Sequence, residues 1–399
     1  MKKELLIAKR KKAKELFEKG WDKKTIANYL VSSPRSITKW VNLSDKQLTE
    51  DRRGWKKGKK RKHTKKEEEE IIAIKKQLQK EESFFSGADV VQFNYEHKYK
   101  TKMSKWFVKQ VLKNSNLAKR RLPKRDNRSR YMQYPIHILE KLGKRVASID
   151  FIGPKFYANK QVANFLSYKN IRPDKKGSVH KIKGQTTGET LKILAKIWEK
   201  QPLPDVLKID NDTSFGHVVF HKKRIGQFTI ALLNLGIYPL YIAPRSPWNN
   251  GNVEGFNSVF SRSFWNRLKF KDEKELEIKI QKFNVEYEKY SELINNNPNN
   301  IKERFFDKSI NLKNREVRKF KVHKIYFLRV VRRVNKKDSK QEKGFINILE
   351  TKILLDKQYI NLYTFSTLDL KKKNLTIEVE DKDTGKKFTI KKIKFSVKL

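Results

Sequence analysis

The chain has 399 residues, of which 94 are Lys or Arg and 44 are Asp or Glu, giving a formal net charge of +50. That excess is too large for an ordinary metabolic enzyme and points to a polyanionic partner, nucleic acid first. Aromatic residues at 11% supply apolar bulk for real cores and argue against full disorder, and the absence of cysteine excludes a disulfide scaffold, a Cys nucleophile and zinc fingers with Cys ligands.

A Cys-free chain fits a reducing cytoplasm. The sequence has no run of apolar residues long enough to span a membrane. Its first residues, MKKELLIAKRKKAKELF, lack the apolar stretch and cleavage site of a signal peptide. A cytoplasmic location without a membrane partner is therefore expected. The length allows roughly two to four domains.

Residues 1–50 read as three helices. Ala13, Leu16 and Phe17 fall at helical spacing, and Gly20 stops the first helix. WDKKTIANYL puts Ile26, Ala27 and Leu30 on one face; VSS makes a turn, and PRSITKWV opens a third helix with Pro34 in its first turn. Helix, Gly turn, helix, short turn and helix is the helix-turn-helix pattern. Ile37 and Trp40 are expected inside. Arg35, Ser36 and Lys39 are expected outside, where a recognition helix meets base edges and phosphates. A generic three-helix bundle shows the same apolar spacing; the surrounding charge favours the DNA-binding form.

Residues 51–66, DRRGWKKGKKRKHTKK, hold ten Lys or Arg among sixteen, and Lys119 to Arg130, KRRLPKRDNRSR, hold seven among twelve. Neither run has a core pattern, so both are solvated linkers. Lys59, Lys60 and Arg61 in the first and Arg120 and Arg121 in the second are expected to lie along phosphates. Residues 67–130 contain a second helical segment that ends in this basic linker. One helix carries Ile71, Ile72, Ile74 and Leu78, with Glu67 to Glu70 at its positive end. Another, MSKWFVKQVLKNSNL, carries Phe107, Val108, Val111 and Leu112. Together they read as a second helix-turn-helix-like unit with a longer middle.

Residues 131–300 alternate strands and helices, as in an α/β domain. KRVASIDFIG is a strand; QVANFLSY and SVHKIKGQ form a hairpin; TGETLKILAKIWEK is a helix with Leu191, Leu194, Ala195 and Trp198 along one face. PDVLKID is a fourth strand, RIGQFTIALLNLG a helix stopped by Gly236, and GIYPLYIAP a final strand whose internal Pro239 favours a sheet edge. The order is βββαβαβα, a five-stranded mixed sheet. A further helix, from about 272 to 293, carries Leu276, Ile280, Phe283 and Tyr287. Residues 310–399 alternate apolar and polar positions around a hairpin turn at Gly385 and read as a small, basic β barrel or sandwich.

Three acids stand where acids need a reason. Asp150 is inside an apolar strand, on the face of Val146, Ser148 and Ile152, a position disfavoured by propensity and burial. Asp210 ends its strand, where active-site loops of α/β sheets open. Glu254 falls beside the helical stripe Val253, Phe256, Phe260, Phe264 and Leu268, on a polar face with Asn257, Ser258, Ser261 and Arg262. Converging acids repel unless a cation lies between them, and hard oxygen donors suit Mg²⁺ or Mn²⁺. Two such ions about 3.5–4 Å apart can activate a water or a 3′ hydroxyl at a phosphodiester. The bland alternative is that each acid caps or pairs locally.

SIDFIG around Asp150, KIDNDTSF around Asp210 and APRSPWNNGNVEGFN around Glu254 carry a resemblance. The chain resembles the integrase-core transposases, bacterial and phage relatives of the retroviral integrases in the DDE group. Pro247, Asn250, Gly251 and Glu254 match the family's Pro-x-x-Asn-Gly-x-x-Glu stretch, and Asp210 opens an Asp-Asn-Asp-Thr-Ser-Phe run with Asp212 where the family usually has Gly. Fifty-nine residues separate Asp150 from Asp210, which is ordinary for the family; forty-three separate Asp210 from Glu254, which is long. The excess is placed in FGHVVFHKKRIG, a loop where insertion is tolerated.

The resemblance implies an RNase H-like core between helix-turn-helix units and a basic β domain. It implies that Asp150, Asp210 and Glu254 are catalytic and bind one or two Mg²⁺ or Mn²⁺ ions. It implies nicking of transposon ends to a 3′ hydroxyl, which then attacks target DNA without a covalent protein intermediate. Double-stranded DNA, as transposon ends and target, homo-oligomerisation on DNA and an accessory ATPase are the implied partners. Asn250, Ser258 and Arg262 are expected at the DNA, with Asn211, His217, His221 and Trp248 as further contacts or packing. Three rivals remain: a transposase-derived regulator that binds without chemistry, a nuclease of the same fold that cuts without joining, and a ribosomal or chromatin-type structural protein.

Overall fold

The computed structural model describes residues 3–49, 63–118, 134–157, 161–215, 222–244, 246–294, 301, 303–334, 343–381 and 384–399. Lys59, Lys60, Arg61, Arg120, Arg121, His217 and His221 lie outside the described residues, as does the side chain of Trp248. The chain forms two compact units, residues 1–67 and 68–399.

The first unit holds α1 (Lys3–Glu18), α2 (Lys23–Tyr29), α3 (Pro34–Val41) and α4 (Asp45–Thr49). Local chemistry sets each boundary. Gly20 takes the left-handed conformation, φ +86°, that ends α1. The Asp22 carboxylate accepts from the N–H groups of Lys24 and Thr25 to start α2, and the Ser33 hydroxyl accepts from Ser36 N–H to start α3, with Pro34 in its first turn. The phase so fixed buries Ala13, Leu16, Ile26, Ala27, Leu30 and Ile37, with Trp40 and Val41 against them. Phe17 departs from the expected stripe. One residue beyond Leu16 it has turned off the seam, is exposed, and lies under the Lys23 ammonium at 5.4 Å.

The second unit takes in all but the first three residues of α5 (Lys65–Lys80), then α6 (Ala88–Tyr99) and α7 (Lys105–Asn114). Ile71, Ile74, Val91, Tyr95, Met103, Val108 and Leu112 make their shared core. Between α5 and α6, Phe84 packs on Phe264 and Phe283, and its N–H donates to the Glu286 carboxylate at 2.7 Å. These helices are thus seated on the α/β part.

That part is built on β1 (Val146–Tyr157), β2 (Gln161–Arg172), β3 (Gly177–Ile182), β4 (Val206–Ile209) and β5 (Tyr238–Tyr241). The short α8 (Ile136–Glu140) precedes β1; α9 (Thr187–Lys200) and α10 (Gln227–Leu235) connect the later strands; α11 (Gly251–Phe260) and α12 (Glu273–Leu293) follow β5. β1 pairs antiparallel with β2, and β2 with β3; β1–β4 and β4–β5 are parallel. On α9 the buried stripe is Ile193, Leu194, Ile197 and Trp198, with Leu191 packed at its margin. On α12, Leu276, Ile280, Phe283 and Tyr287 are buried as expected. They pack, with Phe256, Phe260 and Phe264, into an aromatic core over β1–β3.

The C-terminal strands do not form the expected separate barrel, and the sheet does not stop at five strands. β6 (Lys324–Val330), β10 (Tyr363–Asp369), β11 (Asn374–Glu380) and β12 (Lys387–Lys394) continue the sheet to nine, in the order β12-β11-β10-β6-β5-β4-β1-β2-β3. Among the described residues, only β7 (Arg332–Arg333), β8 (Lys343–Ile348) and β9 (Thr351–Asp356) form a separate three-stranded sheet. The strand β5 is therefore interior despite Pro239. Its pairing with β6 runs Leu240↔Tyr326 and Tyr241↔Phe327, so the ladder starts just past the proline and asks nothing of its missing N–H. One continuous core joins Leu207, Leu232 and Tyr241 to Phe327, Ile346, Leu368 and Ile377.

Candidate active site

Three elements bring the three acids to one region. Asp150 projects from the centre of β1, between the fully buried Ile149 and the half-buried Phe151. Asp210 is the first residue after β4 and is exposed. Glu254 lies in the first turn of α11, which packs across β1 and β2 with Val253, Phe256 and Phe260 buried beneath it. The polar face beside that stripe therefore borders β1. Asn257, one turn beyond Glu254, donates its amide to Asp150 Oδ2 at 2.8 Å, and Phe151 N–H donates to Asp150 Oδ1 at 2.9 Å.

The electrostatics tie the three together. Burial pushes the Asp150 carboxyl up from 3.8 to about 6, and the charges of Asp210 and Glu254 push the same way against those two hydrogen bonds. Glu254 is also raised, by burial and by Asp210, with Lys208 pulling it down. No Lys or Arg among the described residues stands at salt-bridge distance from any of the three, and Lys208 acts on Glu254 from further off. Among the described residues no three His, Cys, Asp or Glu side chains close into a metal cage.

Sequence reasoning missed the supports of this site. Lys208, on β4 two residues before Asp210, is buried; its ammonium is held down to about 8 and donates to Tyr134 Oη at 3.2 Å. Ser148, on the face of Asp150, donates its hydroxyl to Asn250 Oδ1 at 2.5 Å. Asn250, expected at the DNA, is only 4% exposed. It anchors the 3-10 turn Pro247–Asn250 that launches α11, because the strand beneath offers it a hydroxyl partner. The neighbouring Asn249 accepts from Tyr363 on β10 at 3.2 Å. Arg329 on β6 donates to Asn211 Oδ1 at 2.9 Å. Neither Tyr363 nor Arg329 carries a motif; only the sheet's continuation reveals them.

Of the other expected DNA-facing residues, Arg35 and Lys39 are exposed on α3. The Ser36 hydroxyl is instead within 2.9 Å of the Ser33 hydroxyl, as part of the α3 cap. Ser258 is half-buried and Arg262 exposed, with Arg262 Nε donating to the Ser258 carbonyl at 3.0 Å. Among the described residues no helix is long and apolar enough to cross a membrane.

The family described as putative ATPase subunit of terminase (gpP-like) matches residues 8–51, the segment of α1–α4. No curated protein matches the chain. Among solved structures, the chain is similar to one in the cryo-electron microscopy structure of the simian T-cell lymphotropic virus intasome in complex with PP2A regulatory subunit B56 gamma. The identity is 10% and the TM-score 0.32, over 81% of this chain and 99% of that chain.

Proposed function

We propose that this chain is a DNA transposase of the integrase type, which nicks transposon ends to a 3′ hydroxyl and joins that hydroxyl to target DNA. The observation that carries the reading is the trio itself. Asp150, Asp210 and Glu254 come from a central strand, the end of its parallel neighbour and a helix packed across them, and Asp150 is raised by burial first and then by the charges of both others. The five-strand order β3-β2-β1-β4-β5, with β2 alone antiparallel to both neighbours, supports an RNase H-like core. The net charge of +50 supports a DNA substrate.

Asp150, Asp210 and Glu254 are the residues that would hold Mg²⁺ or Mn²⁺; oxygen donors with uncompensated charge fit a hard cation. Such ions, when bound, polarise the phosphodiester and lower the pKa of the attacking hydroxyl. The chain's own part is positional. Asn257 and Phe151 N–H fix the Asp150 carboxylate, Asn211 N–H donates to Asp210 Oδ1 at 2.6 Å, and the Asn250 anchor sets the start of the Glu254 helix. Arg262 and Ser258, a turn or more further along the same helical segment, are assigned to the DNA backbone. Arg35 and Lys39 are assigned to end recognition, and subunits assemble on paired ends.

The test is a strand-transfer assay with full-length protein, plasmid target and labelled duplex ends from the DNA flanking its gene, in Mg²⁺ or Mn²⁺. Labelled end joined to plasmid, and lost in Glu254→Gln, is the expected result. Cutting without joining would replace the reading with a nuclease. Binding with neither, across both metals, would replace it with a transposase-derived regulator.

A further inference from the structure

Arg329 is 4% exposed, yet no carboxylate among the described residues stands at salt-bridge distance from its guanidinium; the charges of Glu350 and Asp210 reach it from further off. It donates to the carbonyls of Asn347 at 2.9 Å, Ile242 at 2.8 Å and Leu328 at 2.8 Å, and to Asn211 Oδ1 at 2.9 Å. The Asn211 amide in turn donates to the same Ile242 carbonyl at 2.6 Å. Arg329, Asn211 and Ile242 thus close a ring of three hydrogen bonds. Ile209 is the last residue of β4, and its carbonyl accepts from Ile242 N–H at 3.1 Å. The ring is therefore bolted to the strand that leads into Asp210. Asn211 N–H holds Asp210 Oδ1.

A cation buried among neutral acceptors is costly, and an apolar side chain in a repacked site would serve stability as well or better. What the guanidinium alone supplies is a rigid fork that fixes a carbonyl and an amide oxygen at once. We propose that Arg329 is a positioning residue for Asp210, acting through Asn211, and that the C-terminal strand β6 is therefore a working part of the active site. The assignment rests on the reading of Asp210 as an active-site acid.

The test uses the full chain with Asn211→Ala, Arg329→Lys and the double variant, beside Asp210→Ala. A cleft of about 330 Å³ opens beside the pair, so Asn211→Ala seals no void inside the fold. The ammonium introduced by Arg329→Lys would be a point charge able to reach one partner instead of two. Loss of a group that orients a ligand costs about 10- to 100-fold in metal affinity or activity. Each single variant is therefore expected to lower kcat for end joining by that factor, with KM for the DNA end within about twofold and the melting temperature of Asn211→Ala little changed. Mn²⁺ binding, titrated without DNA, is expected to weaken by a similar factor. The double variant is expected to be no worse than the poorer single, because both remove one linkage.

Wild-type kcat and Mn²⁺ affinity in Asn211→Ala would overturn the proposal, and so would multiplied losses in the double variant. Failure of the underlying reading looks different: Asp210→Ala would itself join DNA and bind Mn²⁺ like the wild type.

Discussion

Asp150→Asn is expected to stabilise the 68–399 unit at neutral pH and to leave it unchanged in acid. The folded state holds the Asp150 proton with a pKa of about 6, against an ordinary value of 3.8, because burial and then the charges of Asp210 and Glu254 disfavour the carboxylate. A raised carboxyl contributes stability that is present below 3.8 and lost as pH climbs through about 6. At about 1.4 kcal/mol per tenfold change in proton affinity, the ionised fold is about 3 kcal/mol less stable than the same fold with a neutral group there. For a unit of this size that is about 4 °C in Tm. The amide suits the site. Asn257 Oδ1 is buried and has no hydrogen-bond partner among the described residues, so a flip of that amide lets it accept from the amide that the substitution introduces. The assay is calorimetric melting of both proteins with chelator present, at pH 7.5 and at pH 3. The gap is expected at pH 7.5, to vanish at pH 3, and to narrow at pH 7.5 when Mg²⁺ is added. Equal melting temperatures at pH 7.5, or one gap at both pH values, would refute the argument.

Two further outcomes are expected. Lys208 lowers the Glu254 pKa, so Lys208→Met should raise it and move the acid limb of the joining activity to higher pH; an unmoved limb in the pH–rate profile would remove Lys208 from the site's electrostatics. Arg35→Ala and Lys39→Ala should each weaken binding to transposon-end duplex and reduce the salt slope by about one for each phosphate no longer neutralised, measured by titration across a salt series. Unchanged slopes would place the phosphate-binding residues elsewhere.

Much of this arrangement is legible in the sequence because local chemistry writes it there. Caps at Asp22 and Ser33, the stop at Gly20 and the 3.6-residue stripe of α12 fix helices without reference to anything distant. Asp150 is legible because an acid inside an apolar strand breaks a local rule, whereas Asp210 and Glu254 are legible from a strand end and from the short motifs around them. What escapes is the long-range part. α6 is hidden because Val90, Val91 and Tyr95 are buried while Phe93 on the same helix is exposed, so no clean stripe shows. Pro239 misleads because the edge rule is local, and the register that satisfies it depends on a strand more than eighty residues further on (Leu240↔Tyr326). Arg329 and Tyr363 look like ordinary members of alternating strands, and their partners Asn211 and Asn249 lie on turns far back in the chain.

The continuity of the sheet also orders events during synthesis. The unit of residues 1–67 leaves the ribosome before β1 to β5 and has its own core. The strands β1 to β5 follow, but β5 then presents an open parallel edge at Leu240 and Tyr241, and the Asp210 turn lacks its Arg329 brace, until β6 emerges. Such non-local parallel pairing is slow, and an uncovered strand is a hazard for association with other chains. A ribosome that stops short of β6 releases a chain with a finished N-terminal unit and an unbraced trio of acids. Synthesis through β6 is thereby a condition for completing both the sheet and the turn that carries Asp210.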